Sequence, residues 1–401
     1  MLLSIFTPTN NISAIFTPFK SIYNQIRDDC NLQVEWVVVP NCNIDIPKEI
    51  TQEPWVKIVR CPDNIKAIGG LKKFACDNCT GDVYIELDHD DELMPGSLKE
   101  IRDALSGKLN AFLFSDAMYI KSDKTSPLFG KSFGWQFYEY EGHPINKTFT
   151  ATARSLCEIF FTPDHVRVWT KEAYKLSGGH DPNMVIGDDH DLVIKTYLAK
   201  SEFVQIEKPL YKYYLHGNNT WTQDPDKVRI QQEKNKKKYL HNLVKEWCRR
   251  ENYPVMSFDN NFSVDTLSNF YNTPSNSIGC IFVNDALTSI PANKECINFM
   301  NNIYRMLVPG GWLLTHVPST DGRGAFCDPT HVSFWNELSF RYYTEKDYAK
   351  LIPAINCKFQ QVVLETYFPN KWHEKNNISY VRADMCAVKG QILPGGSSFN
   401  S

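Results

Sequence analysis

This chain has little of what marks a membrane-spanning, nucleic-acid-binding or disulfide-stapled protein. No stretch of about 18 apolar residues occurs in it, so no spanning helix is expected. Its opening, Met1-Leu-Leu-Ser-Ile-Phe6, has no basic flank and is too short for a secretory apolar segment. An excess of one charge is missing too. A formal net charge of -3 over 401 residues gives no electrostatic case for nucleic acid as the main partner. The twelve cysteines follow no regular spacing, which points to a reducing, cytoplasmic compartment. There the Asn-x-Ser/Thr triplets at Asn78, Asn146, Asn218, Asn261 and Asn377 are expected to stay unglycosylated. The one tight pair, Cys76-Asp-Asn-Cys79, has the spacing of a redox motif or half a zinc site. No second pair follows at metal spacing, so the two read as buried helix thiols.

What is present is an ordinary globular composition, 42% hydrophobic, at a length that predicts two domains. The most informative stretch is Gly81-Asp-Val-Tyr-Ile-Glu-Leu-Asp-His-Asp-Asp-Glu-Leu93. Val83 to Leu87 has the β-branched and aromatic residues of a buried strand, and it ends in Asp88, Asp90 and Asp91. In an open α/β sheet ligands sit at that C-terminal strand edge. Carboxylates this close repel unless a cation lies among them, and hard oxygen ligands suit Mg²⁺ or Mn²⁺ carrying a diphosphate. The chemistry these residues suggest is sugar transfer from a nucleotide diphosphate.

Before that stretch, Leu2 to Phe6 reads as a strand stopping at a turn, Thr7-Pro-Thr-Asn10. Ile12 to Ile26 has helical spacing broken at Pro18, and Val34 to Val39 is a second strand. Val56 to Cys61 is a third, followed by Ile68-Gly-Gly70 and a helix over Leu71 to Cys79. Strand, loop and helix repeated three times predict an α/β fold with a mostly parallel sheet and a nucleotide at its C-terminal edge. Further on, Leu98 to Leu105 reads as a helix and Ala111 to Asp116 as a strand. The aromatic segment Phe129 to Tyr140, with Trp135 at its centre, is either a platform for the apolar faces of sugar rings or core filling.

The order Thr7-Pro-Thr-Asn10, Glu35-Trp-Val-Val-Val39 and Thr80 to Leu93 resembles the nucleotide-binding half of family 2 glycosyltransferases of the Rossmann-like GT-A fold. The resemblance makes Asp88-His89-Asp90 the Asp-x-Asp motif. It implies Asp88 and His89 on the nucleotide sugar, Asp88 and Asp90 on the metal, and Thr7, Pro8, Thr9 and Lys72 in the donor site. Where the family has a pair of aspartates after the second strand, this chain has Pro40-Asn41; the amide of Asn41 or Asn43 can pair with a base edge instead.

Two later segments extend the likeness. Ser177-Gly-Gly-His-Asp181 followed by Gly187-Asp-Asp-His-Asp191 is similar to the turn and acidic pair of that family. This assigns the catalytic base to Asp189 and acceptor contacts to Gly179, Asp188 and, on the aromatic segment, Trp135. A helix N-terminus keeps a carboxylate ionised and a neighbouring charge raises its basicity. Asp188 and Asp191 also suit a plain capping role. Tyr211-Lys-Tyr-Tyr-Leu-His216 with Asn219-Thr220 is similar to the family's closing motif and adds His216 as a metal ligand or diphosphate contact. The family implies inversion, with a glycan or lipid-linked acceptor.

The domains expected are a GT-A domain over 1–223, a charged helical linker over 224–250, a smaller Rossmann-like α/β domain over 251–390 and a disordered tail over 391–401. In the linker, Lys234 and Lys236 to Lys238 allow peripheral contact with an anionic membrane surface, or form a solvated helix face. In the smaller domain the strand Ser277 to Asp285, the helix Cys296 to Leu307 and Val308-Pro-Gly-Gly-Trp-Leu-Leu-Thr-His-Val-Pro318 resemble the later half of class I S-adenosylmethionine-dependent methyltransferases. Asp328-Pro-Thr-His-Val-Ser-Phe-Trp335 looks like a segment found in some of them. No glycine occurs between Arg250 and Gly279, where those enzymes need a Gly-rich cofactor loop. The expected first strand is not evident either, and Asp259 stands where a ribose-binding acid would. S-adenosylmethionine is therefore not expected to bind. Two other readings stand beside the transferase: a methyltransferase or bifunctional glycan-modifying protein, and a glycan-binding protein whose transferase site has decayed.

Overall fold

A computed structural model describes residues 1–41, 45–217, 219–258, 270–292, 294–391, 393–397 and 399. Asn43 and Asp259 lie outside them. By internal packing the chain forms two units, Met1–Lys131 with Trp135–Leu243, and Ser132–Gly134 with Val244–Ser401. The helix Pro225–Arg250 carries the chain from one to the other. No helix among the described residues is long and apolar enough to cross a membrane.

The first unit is built on the strands β1 (Leu2–Thr9), β2 (Gln33–Pro40), β3 (Val56–Ile58), β4 (Val83–Glu86), β5 (Glu92–Leu93), β6 (Ala111–Lys121), β7 (Gln136–Tyr140), β8 (His143–Lys147), β9 (Arg167–Thr170) and β10 (Glu202–Leu215). Its sheet runs β3-β2-β1-β4-β9-β6-β10-β5, with the hairpin β7–β8 attached to β6. β1, β2, β3 and β4 are mutually parallel, as are β6 and β10. β9 enters antiparallel between β4 and β6. The expected α/β class with a parallel-rich sheet is therefore present. Alternation divides its core: Leu3, Ile5, Trp36, Val38, Val83 and Ile85 pack with Ile22 and Ile101 on one face. Phe112 and Trp169 lie together in a separate ring contact.

Several local expectations need correction. β1 does not turn at Thr7 but continues through Pro8 to Thr9, pairing Pro8 with Val39. A proline is tolerated there because β4 accompanies β1 only as far as Phe6, leaving that side of the strand without a ladder to break. Nor does Pro18 break a helix. The helix starts at Phe16, so Pro18 falls in its first turn, where backbone N–H groups have no partner to lose. Gly69 and Gly70 belong to the helix Ile68–Asp77 instead of a preceding loop.

In the second unit, β11 (Val255–Phe258), β12 (Ile278–Asn284) and β13 (Leu307–Pro318) are parallel, and β15 (Tyr380–Ala387) and β14 (Phe359–Tyr367) continue the sheet antiparallel. The helix Lys294–Met306 connects β12 to β13 and buries Phe299, Met300 and Ile303. This is the smaller α/β sheet expected. The strand not evident in the sequence is present within the stretch without glycine: β11 pairs with β12 over four residues, a length too short to stand out from the apolar pattern.

The helix Ile68–Asp77 is pressed against the segment leading to Asp188. Gly69 N–H donates to Met184 O (3.0 Å), and a Cβ on Gly69 would lie 2.1 Å from Asp181 O. Gly69→Ala must displace backbone on one side, so it is expected to lower stability by about 1–3 kcal/mol, read as a reduced denaturation midpoint with unchanged slope.

A candidate active site at the carboxyl ends of the strands

β1, β2 and β4 all end on the same side of the sheet, so Thr9, Asn41 and Asp88 arrive at one edge. A cleft of about 1000 Å³ opens there, and its lining includes Pro8, Thr9, Asn41, Asp88, His89, Asp90, Asp188, Asp189 and His216. Residues more than 200 positions apart in the chain thus meet in one cavity.

Beneath the cleft lies a buried ion network. Lys72, on the helix Ile68–Asp77, bonds Glu86 on β4, and its Nζ is 3.8 Å from Asp188 Oδ2. The register of β9 against β4, Ile85 opposite Val168, brings Arg167 beside Glu86. Arg167 is 2% exposed; its Nη1 lies 3.8 Å from Glu86 Oε2 and donates to Asp189 Oδ2 at 2.5 Å. Its Nε donates to Pro163 O (3.1 Å). Burial alone would push all these carboxyls up. For Glu86, Lys72 and Arg167 overcome it and hold the group below its ordinary range. For Asp189, Arg167 and Lys72 do the same. Lys72 in turn is held protonated by Asp188, Glu86, Asp88 and Asp189 against its burial.

The acidic strand end divides its carboxylates between two tasks. Asp91 is buried and ties the loop to β10: Tyr211 Oη donates to its Oδ2 (3.0 Å) and Tyr214 N–H to its Oδ1 (2.8 Å). Tyr211 Oη also accepts from Asp88 N–H (3.1 Å). Burial, with Asp88 and Asp90 nearby, raises the Asp91 carboxyl well above its usual value. Asp88 is pushed up to about 6, chiefly by burial, with Lys72 opposing and Glu86 and Asp90 adding to the rise. Asp90 faces the opening, its Oδ2 2.7 Å from His216 Nε2; His89 Nε2 is 4.0 Å from the same oxygen.

Among the residues expected at the donor site, Thr7 is sealed away from the cleft, donating to Leu87 O (2.7 Å) and accepting from Trp36 Nε1 (2.9 Å). Lys72 lines the floor with its charge committed to Glu86 and Asp188. Asn41 does line the cleft, and its carboxamide Oδ1 has no hydrogen-bond partner among the described residues. Of the acceptor candidates, Asp188 is turned inward, 3.0 Å from His180 Nδ1. Gly179 lies outside the cleft lining, packed on the Tyr174 ring with φ +68°. Trp135 lines the cleft but is mostly buried, stacked on Phe161 at 5.6 Å.

The helix Asp188–Leu198 begins four residues earlier than its apolar pattern suggests, after Gly187 in the left-handed region (φ 68°). No side chain caps it. Asp188, Asp189 and Asp191 instead fill its first turn, where the helix dipole favours negative charge. Asp191 accepts from Tyr239 Oη (2.7 Å) and pairs with Lys195 (3.0 Å). The basic run of the long helix divides as well: Lys236 is buried against Glu158 (3.4 Å), whereas Lys234, Lys237 and Lys238 are exposed.

Four buried ionisable residues at or beneath the cleft escape the sequence reading: Glu86, Asp164, His165 and Arg167. The signal for Arg167 is a basic residue heading an apolar strand, where no solvent-facing role explains it. Asp164 accepts from Tyr119 Oη (2.6 Å).

A divalent ion fits this donor set only in part. Among the described residues no three His, Cys, Asp or Glu side chains converge as a closed cage. Asp90 and His216, paired at the cleft mouth, suit an ion that takes its remaining oxygens from a diphosphate and water, as Mg²⁺ and Mn²⁺ commonly do.

No protein-family model matches the chain, and no curated protein does. Solved structures of Staphylococcus aureus TarS are distantly similar. The 1–349 fragment in complex with UDP-GlcNAc is 15% identical with a TM-score of 0.45, over 63% of this chain and 72% of that one. The fragment alone has a TM-score of 0.43 at 15% identity, over 62% and 72%. For the longer TarS chain the TM-score is 0.43 at 15% identity, and 75% of this chain overlies 50% of it. Similarity this low decides neither family nor function.

Two outcomes test the site's electrostatics. Arg167→Met leaves Glu86 and Asp189 short of a buried counter-charge and should cost about 3–5 kcal/mol of stability, measured by denaturant titration. The Asp164 carboxyl is pushed up to about 6 by burial, against Tyr119 and Arg167. An acid whose folded pKa exceeds its unfolded value favours the folded state at low pH and loses that contribution as pH rises. From about pH 4 to 6 the wild type should therefore lose stability relative to Asp164→Asn, visible as converging melting temperatures across that window.

Proposed function

We propose that the first unit is a metal-dependent, inverting glycosyltransferase of the GT-A type. It would move a sugar from a nucleotide diphosphate to a hydroxyl of a glycan or lipid-linked acceptor. The observation that carries this reading is the meeting of Asp88, Asp90, His216 and Asp189 in one cleft beyond the carboxyl ends of parallel strands, where α/β folds bind nucleotides.

In this reading Asn41 meets the base, Thr9 and Pro8 border the nucleoside, and Asp90 and His216, with Asp88 behind them, are the residues that would hold the ion. Counter-charge for the departing diphosphate is what a bound Mn²⁺ or Mg²⁺ supplies there. Asp189 takes the acceptor's proton on a carboxylate oxygen. Its ion pair with Arg167 keeps it ionised and aimed, at some loss of basicity. The loss is tolerable because a hydroxyl attacking an oxocarbenium-like carbon becomes strongly acidic as the new bond forms. Attack from the side opposite the leaving group inverts the anomeric centre.

The roles separate by mutation. Asp189→Asn should lower the transfer rate by about 100-fold or more while nucleotide affinity stays within a few fold. Asp90→Ala should instead weaken metal-dependent nucleotide binding itself. Equal turnover by wild type and Asp189→Asn would remove Asp189 as the base.

A further inference from the structure

One buried ring in the cleft has no part in that scheme. His165 lies two residues before Arg167, and its imidazole is clamped by the rings of Tyr211 (centroids 4.7 Å apart, 18° between planes) and Tyr213 (5.7 Å, 22°). Its backbone is fixed as well. The N–H donates to Asp164 Oδ1 (2.7 Å), and the carbonyl accepts from Ser115 Oγ (3.2 Å). The residue is 7% exposed and lines the cleft. Its Nδ1 is sealed from solvent with no hydrogen-bond partner among the described residues.

A sealed ring nitrogen without an acceptor is better off deprotonated, which places the proton of a neutral imidazole on Nε2. Burial and the Arg167 guanidinium push this imidazole down to about 3, against the pull of Glu86 and Asp189. The ring is therefore an uncharged donor across the working pH range. A phenylalanine would stack between the two tyrosines equally well and leave no unpartnered nitrogen. An imidazole here costs stability that packing does not return, as is common at binding sites.

Its position indicates the ligand. In a single displacement the transferred ring lies between the leaving diphosphate and the base. On one side of His165 stands Tyr211, whose hydroxyl holds Asp88 N–H and Asp91. Two residues along the chain, Arg167 holds Asp189, and His165, Asp88 and Asp189 all line the same cleft. We infer that His165 is a specificity-determining contact that donates a hydrogen bond from Nε2 to a hydroxyl of the transferred sugar, an inference that rests on the donor reading above.

The test compares calorimetric affinities, with Mn²⁺, of a nucleotide sugar and its bare nucleoside diphosphate. The donor is whichever uridine, guanosine, adenosine or thymidine diphosphate hexose binds the wild type. His165→Phe should match or exceed the wild-type melting temperature and bind the bare diphosphate within about twofold of wild type, yet lose about tenfold for the nucleotide sugar. His165→Gln, which keeps a donor, should recover part of that loss and guards against a folding defect in the first variant. Undiminished nucleotide-sugar affinity in His165→Phe overturns the inference alone. A wild type that binds nucleoside diphosphates but no nucleotide sugar overturns it too. If the wild type binds neither, the donor reading falls and the inference with it.

Discussion

Two buried cations hold this site together. Lys72 and Arg167 stand on different elements beneath the cleft, and between them they neutralise Glu86, Asp188 and Asp189, three carboxylates that burial would otherwise keep protonated. Glu86 is shared by both. That arrangement joins a helix, two antiparallel strands and the first turn of a second helix to one centre of charge. It also explains how so acidic an edge can exist: Lys72 and Arg167 offset much of the charge nearest the core, whereas Asp90 at the mouth is paired with His216 and lies near His89. In the proposed reading, a cation arriving with an anionic ligand would meet Asp90 first.

This division orders the chemistry. Asp91 is spent on Tyr211 and Tyr214 and fixes the acidic loop to β10. Asp88 lies just behind the mouth with its carboxyl near 6, so its charge responds to whatever binds. Arg167 holds Asp189 ionised and oriented within the fold. If Asp189 is the base proposed above, its charge is fixed in place during folding and the reaction itself need not reorganise it.

Much of this is legible in the amino-acid order, and the parts that are not have a common cause. The strand ending in Asp88, the acidic pair at Asp188 and Asp189, and His216 at the end of β10 are each marked by neighbours in the chain, because a strand end or helix start has a local pattern. Arg167 and Glu86 carry no such mark. Each becomes meaningful only when β9 inserts antiparallel beside β4, a pairing across 80 residues that no local period announces. Thr7 shows the converse: its hydroxyl sits in a suggestive Thr-Pro-Thr segment, yet strand alternation turns it into the core. In the second unit, β11 is four residues long and so leaves no periodic trace. There the longer, largely apolar strands β12 and β13 are legible and their neighbour is not.

On the proposed reading, the carboxylates at the cleft mouth take a divalent ion jointly with a diphosphate. The decisive measurement is calorimetric titration of nucleoside diphosphates into the wild-type protein, with and without Mn²⁺. At least one nucleoside diphosphate should bind in the presence of Mn²⁺ and lose about tenfold or more in affinity without it. Equal affinity in both conditions, or no binding in either, would contradict it.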